Sequence, residues 1–380
     1  MFDEAFTEAV LGYYIFHSVN RLESAGKYPV DYLPGPQSFW VRIAGGTEQL
    51  TNAMYNHGHN GGRINVQMLK RVNAIEREFF VDLPAERNIP WWYPKMLVHV
   101  DGESEPRKYS AVFNTTSLGC LNRMDLSRLP LSQKQQTAIR SLAYNPSCKI
   151  GVKFSRPWWT DFSVTEGGGG SSSTDRSIRT AVYPSWFDGN DTPAVMIVSY
   201  SHARDAAKWA SLINQKGDPD NKQLLDLVLR DLVELYADRT TPSGERLTFK
   251  HLKSLVMSYH AHDWNQCPNT AGAFAHFGPG QFKHLYKAIC TPAAGGTFFI
   301  VGECSSVFHG WILGALDSAI FSFIQFLESF GQWEPLVKYF QEVEHNRSSF
   351  AHIPDEMDET VLYHLVALEV ERAEKEAHKA

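Results

Sequence analysis

Four stretches of this chain hold side chains whose types and spacing could do chemistry. GECSSVFHGWILGALDSA, Gly302 to Ala319, gathers an acid (Glu303), a thiol (Cys304), an imidazole (His309) and an indole (Trp311) where an apolar strand hands over to an apolar helix. CKIGVKFS, Cys148 to Ser155, alternates like a half-buried strand and carries Lys149 near its head. His260-Ala-His262-Asp263 sets two imidazoles on one face of a strand, a spacing that metal ligands use. His57-Gly-His59-Asn60-Gly-Gly-Arg63 invites a metal or phosphate reading.

Each stretch also admits a plainer reading. No third ligand is evident beside His260 and His262, which leaves a polar strand next to a site. The Gly and Asn cluster after His57 is turn chemistry. Cys304 could be a nucleophile or an attachment point, yet a small inert residue at a tight turn serves as well. Glu303 could be a general base, and Lys149 could simply snorkel from a strand end. Trp158 and Trp159 read as core or corner packing.

The strand-to-helix junction is the most specific of these features. In open α/β sheets ligands bind in the crevice beyond the strand ends. A helix N-terminus there offers unpaired N–H groups and a partial positive charge. The pattern predicts a helix over His309–Leu327, beginning near Gly310, where a ligand could approach the backbone closely. Gly314 and Ala315 would let that helix lie tightly on another element. A buried helix with small residues for packing fits the same pattern.

The elements that must position these residues alternate between strand and helix. Phe2–Glu23 has helical spacing, and PVDYLPGPQ is a proline-rich loop. A short helix follows Thr47, and GRINVQMLKRVNAIE reads as a strand followed by extended chain. MLVHVDGESEPRKYSAVFN predicts a hairpin about an Asp-Gly turn. Ser132 caps an amphipathic helix. SVTEGGGGSSSTDRS reads as a flexible surface loop, with β-like IRTAVYPS after it and AVMIVSYS as a strand. DAAKWASL and NKQLLDLVLRDLVELYA are helices, the second with Leu224, Leu227, Leu229 and Leu232 as its buried face. LVMSYHAHDW and TFFIVGE are strands, and AGAFAHFGPGQFKHLYKAI is a loop entering a helix. Trp333–Glu344 and Asp358–Lys379 are further helices. The expectation is a mixed α/β (α+β) fold in which a sheet domain is interleaved with another unit.

Composition bounds the rest. The chain has 380 residues, 43% of them apolar and 21% charged, with net charge −6. It can build large cores and has no nucleic-acid footprint. Five scattered cysteines, none in CxxC spacing, argue against a disulfide framework or a zinc site and fit a reducing compartment. The acidic start carries no basic n-region, the apolar run Thr297–Leu327 is broken by Glu303, His309 and Asp317, and HKA is no retention tail. The expectation is a cytoplasmic protein without a membrane span.

The segment TFFIVGECSSVFHGWILGALDSA resembles the C-terminal flavin motif of the flavin amine oxidase family, which includes monoamine, polyamine and L-amino-acid oxidases. HGWI, His309–Ile312, is most similar to the L-amino-acid oxidase branch. AGAFAHFGPGQF and Trp264 in HDWNQCPNTAGAF resemble the stretch before that strand. SCKIGVKFSRPWW, Ser147 to Trp159, independently resembles the family's substrate-domain strand. IAGGTEQLTNAM with RINVQMLKRVNAIE resembles, more loosely, its Gly-Gly helix and following strand. The likeness runs over roughly Phe39 to Leu327.

The resemblance implies FAD as cofactor, dioxygen as oxidant and a small amine or amino acid as substrate. It implies that Lys149 holds a water at flavin N5, that Trp311 walls the substrate and that Gly310 lies at the substrate amine. It further implies flavin contacts for Gly302, Glu303, Trp311 and Ile312, a flavin-side place for Trp264, and an adenine contact for Val72. It implies domain segments of 1–40 (helical part of the substrate domain), 41–120 (FAD domain), 121–265 (substrate domain), 266–330 (FAD domain) and 331–380 (C-terminal helices). One departure stands out: the family's GxGxxG unit, whose backbone cradles the pyrophosphate, has no counterpart in the sequence. GGGGSSS lacks a preceding apolar strand, and FGPGQF carries a proline. The expectation is therefore a C-terminal portion of such an oxidase, with a partial Rossmann-like FAD domain. It is either an autonomous enzyme, an inactive fragment, or a subunit that pairs with a copy of itself or with a partner chain holding the missing segment.

Overall fold

The computed structural model describes residues 43–60, 64–78, 95–164, 169–185, 187–213, 222–332 and 335. The helices read at Phe2–Glu23 and Asp358–Lys379 and the proline-rich loop lie outside these residues, as does all of the one read at Trp333–Glu344 except residue 335. The chain divides into two compact units. The first comprises Met1–Ser110, Arg123–Pro130 and Phe277–Phe282; the second comprises Ala111–Asn122, Leu131–His276 and Lys283–Ala380.

The first unit contains a helix, Glu48–Asn60, and an antiparallel sheet of β1 (Val72–Arg77), β2 (Met96–Val100) and β3 (Arg107–Tyr109) in that order. The hairpin at Asp101-Gly102 forms as its turn residues dictate. Glu103 braces it by accepting from Arg107 and Lys70. The strand order within GRINVQMLKRVNAIE is reversed from expectation: Ile64–Gln67 is not strand and Val72–Arg77 is, because the latter finds β2 as a ladder partner.

The second unit is organised by a five-stranded antiparallel sheet in the order β10-β6-β9-β8-β7. Its strands are β6 (Ser147–Phe154), β7 (Ser171–Ser173), β8 (Thr180–Val182), β9 (Ala194–His202) and β10 (Val256–Asp263). The serine tract is therefore partly an edge strand rather than all loop. The pleat sorts β6 cleanly. Cys148, Ile150, Val152 and Phe154 enter the core, while Lys149 and Lys153 take the other face. The core side packs on the helix Lys222–Leu235 through Leu224, Val228, Leu229 and Leu232. Leu227 is 38% exposed, contrary to expectation, because at 100° per residue it falls outside the stripe that Val228 joins. Trp158 and Trp159 are fully buried and serve as core, not site.

Two small sheets complete this unit: β5 (Ala143–Asn145) with β11 (Phe274–His276), antiparallel, and β4 (Val112–Asn114) with β12 (Phe298–Ile300), parallel. So the third run of the expected hairpin segment leaves its neighbours to pair with β12. TFFIVGE is a strand only over Phe298–Ile300, ending in a 3-10 turn at Glu303–Ser305. Ser132 makes the expected capping box with Gln135 at the helix Gln133–Ser141. The long helix runs Ile312–Ser329, starting two residues beyond Gly310. It is long and apolar enough to cross a membrane by length and composition alone, but Gly314, Asp317, Ser318 and Ser322 are among the residues it buries.

Trp158 sits at the centre of an aromatic cluster, with ring centroids 5.2 Å from Tyr236 and 5.9 Å from both Phe154 and Trp159. Trp158→Ala is expected to lower unfolding free energy by about 3–5 kcal/mol, read as a fall in urea midpoint, with Trp158→Phe losing less. A loss under about 1 kcal/mol in Trp158→Ala would contradict this packing.

Candidate functional site

All the site candidates except Val72 lie in the second unit. Val72 opens β1 in the first unit and is half-buried.

Lys149 projects from the sheet face opposite the core, and its cross-strand neighbours are Tyr200 on β9 and His262 on β10. Its Nζ lies 4.5 Å from the Tyr200 ring centre and 5.4 Å from that of Trp264. Among the described residues it has no hydrogen-bond acceptor and no carboxylate. Burial alone holds its ammonium below the usual lysine range. Each ring is backed by an imidazole: His202 meets Tyr200 at 4.4 Å and His262 meets Trp264 at 4.5 Å. His202 is lowered by burial first and by Lys149 second, and its Nδ1 is buried without a partner among the described residues. His260 and His262 stack at 6.4 Å, and no cluster of three His, Cys, Asp or Glu that could hold a metal occurs among the described residues.

Glu303 anchors the second half of the site. Its Oε1 accepts the Ala275 N–H at 2.8 Å and its Oε2 accepts the Gly310 N–H at 3.1 Å. Burial raises its carboxyl, and these two N–H groups together with the Tyr144 hydroxyl act in the opposite sense. The carboxylate thus ties β11 to the turn before the long helix. The Gly302 N–H is held by the Ser318 hydroxyl at 2.9 Å, which ties the strand end to the same helix. Gly314 lets this happen: a Cβ there would lie 2.3 Å from the Phe308 carbonyl oxygen.

The helix start itself is left open. Trp311 is its N-cap with extended backbone and makes no side-chain cap bond. An uncapped start leaves first-turn N–H groups for a ligand. Gly310, with φ +79°, and Ile312 are exposed beside it. Cys304 is buried and pushed up to about 12, chiefly by burial, so it holds no thiolate.

The structure brings Gly302, Glu303, Gly310, Trp311 and Ile312 together in one turn. Lys149 and Trp264 face one another. β11 joins the two groups: Phe274 meets the His202 ring at 5.5 Å, while the Ala275 N–H reaches Glu303. Gly272, at φ +136°, crosses so close to Tyr144 that a Cβ would lie 2.3 Å from its Cβ. Tyr200, His202, Tyr144 and Ser318 escaped sequence reading. For Tyr200 and His202, the alternation of AVMIVSYSH held a usable signal, since two aromatic or imidazole side chains share the polar face.

The family model for flavin-containing amine oxidoreductases matches residues 4–322. The chain is 37% identical over 286 residues to L-amino-acid oxidase 4 of Hebeloma cylindrosporum, covering 74% of this chain and 42% of that protein. It is 25% identical to an L-amino-acid oxidase of Daboia siamensis, covering 73% of this chain and 59% of that one. The chain thus spans less than two thirds of the length of these relatives. A cyclohexylamine oxidase from Brevibacterium oxydans IH-35A shares the fold, with a TM-score of 0.51 at 13% identity over 73% of this chain and 52% of that one.

His309 gives the turn a pH signature. Burial depresses its imidazole to about 4, the Cys304 and Ser306 backbone opposes this, and His276 adds a smaller depression. The folded state therefore holds it neutral while the unfolded chain protonates nearer 6.5. Stability from this group is complete above that value and is lost as pH falls towards 4, by up to about 3 kcal/mol. The stability gap between wild type and His309→Gln is expected to shrink between pH 7.5 and 4.5 in urea melts. A gap that stays constant with pH would contradict the burial of a neutral imidazole.

Proposed function

Because the chain belongs to the flavin-containing amine oxidoreductase family, we propose that it supplies the redox centre of an FAD-dependent oxidase that deaminates an L-amino acid or a related small amine. The observation that carries this reading is Lys149, a half-buried ammonium with ring faces for neighbours and no counter-charge among the described residues. The relatives named as L-amino-acid oxidases support the substrate class.

The residues suit the ring end of FAD. An uncapped helix start can receive partial negative charge from a heteroaromatic edge. A free ammonium suits a site where negative charge develops. For the pyrophosphate end the sequence offers no GxGxxG. When bound, FAD would accept a hydride from the carbon bearing the amine and pass two electrons to dioxygen, giving hydrogen peroxide. The imine so released hydrolyses to a keto acid and ammonia.

The chain's own groups then have defined tasks. Lys149 stabilises negative charge developing on dioxygen and holds a water beside the reacting centre. Trp311 walls the substrate side chain, and Gly310, lacking a side chain, admits its amine. The first-turn N–H groups from Ile312 onward would hold the cofactor ring, with Trp264, Gly302 and Glu303 as its further contacts. Val72 is the adenine contact that the resemblance implies. A second reading follows from the missing GxGxxG: cofactor binding is completed by a segment on a different partner chain, and the chain alone is inactive.

These readings separate experimentally. In the first, saturating FAD raises the melting temperature of the purified chain, by about 2.7 kcal/mol of added stability at 100 times Kd, and the protein is yellow. With an L-amino acid it releases peroxide, and Lys149→Met slows reoxidation by dioxygen in stopped flow while sparing reduction by substrate. A colourless chain whose melting temperature ignores FAD eliminates autonomous catalysis, and unchanged reoxidation in Lys149→Met eliminates the lysine's role.

A further inference from the structure

Lysines half-buried in a protein interior are ordinarily paired with a carboxylate, since an unpaired buried charge is costly. Lys149 departs from that rule. Among the described residues, the titratable groups facing it are Tyr200 and His202 from β9 and His262 from β10, and none is a carboxylate. Asp263, the next residue on β10, is turned to the opposite, buried side. What Lys149 has instead is Tyr200 on one strand and Trp264 at the end of another, each presenting a ring, with His202 and His262 packed behind them. A ring face attracts a cation without neutralising it.

We propose that Tyr200 is a positioning residue for Lys149: its ring face, with Trp264 as second partner, holds the ammonium where a carboxylate would otherwise stand and leaves the charge free for an anion or for charge developing on dioxygen. A carboxylate partner would fix the ammonium equally well but would cancel the field that such a species feels. His202, lowered by burial and by Lys149, backs the Tyr200 ring as a neutral imidazole and so adds no competing charge. The proposal rests on Lys149 as the cation of the redox site, but the interaction itself needs no cofactor.

The test therefore uses the flavin-free full chain. Lysines are reductively dimethylated with 13C-formaldehyde, which keeps their charge, and the Lys149 signal is assigned by its loss in Lys149→Arg. Its titration midpoint is then followed by NMR. Tyr200→Phe, which keeps the ring face, is expected to retain the wild-type midpoint. Tyr200→Leu is expected to lower it by about half a unit to one unit, because the charged form loses its partner. A Tyr200→Leu midpoint that stays or rises, or a Tyr200→Phe midpoint that falls as far, overturns the proposal. If Tyr200→Leu does not fold, pentafluorophenylalanine at position 200 preserves shape and reverses the ring-face charge. It must then lower the midpoint, and an unchanged value overturns the proposal. Failure of flavin binding or of the oxygen step in Lys149→Met leaves this titration unaffected, so the two readings fall separately.

Discussion

The arrangement of the site depends on one half-buried carboxylate. Glu303 takes one N–H from β11 and one from Gly310, and so fixes a turn that has little regular structure of its own. A carboxylate bound by two N–H groups is a strong fixed point in a site of low dielectric. Its burial opposes ionisation, and the N–H groups offset that. The start of the long helix, with Trp311 as N-cap, inherits its position from this anchor. The Ser318 hydroxyl on Gly302 supplies a second tie from the helix side.

β11 makes this anchor matter to the rest of the second unit. Its Ala275 points to Glu303, while Phe274 touches His202, which packs on Tyr200, whose ring faces Lys149. The alternation of a three-residue strand thus joins the helix-start turn to the polar face of the five-stranded sheet. The sheet's other face packs the inward side chains of β6 and β9 against the Lys222–Leu235 helix and the Trp158–Trp159 cluster, so Lys149 stands on a rigid support. Rigid support is what a site needs when its work is electrostatic placement.

Much of this was legible in the sequence, for identifiable reasons. Strict alternation in SCKIGVKF located Lys149 on the face away from the core, and Ser132 with Gln135 announced a capped helix. The GECSSVFHGWILGALDSA pattern gave a strand, a turn and a helix, and the family likeness gave the flavin class. Tertiary pairing was not legible. Val112–Asn114 reads as part of a hairpin until β12 offers it a parallel partner. The serine tract reads as loop until β8 pairs with it. The helix starts at Ile312 rather than His309 because Gly310 takes φ +79° and Trp311 is extended, and the Glu303 bond that holds this turn is a contact that no local pattern records. The Tyr200–Lys149 contact likewise depends on strand register, which joins residues far apart in sequence.

Amide hydrogen exchange in wild type and Glu303→Gln tests the central role of this carboxylate most directly. A glutamine retains one acceptor oxygen, so one of the two N–H groups must be released. The expected result is faster exchange at Ala275 or at Gly310, whichever N–H faces the new amide group, with protection in β6, β9 and the Lys222–Leu235 helix unchanged. Protection at Gly310 and Ala275 that survives the substitution would show that the turn is held by other contacts and would contradict the role assigned to Glu303.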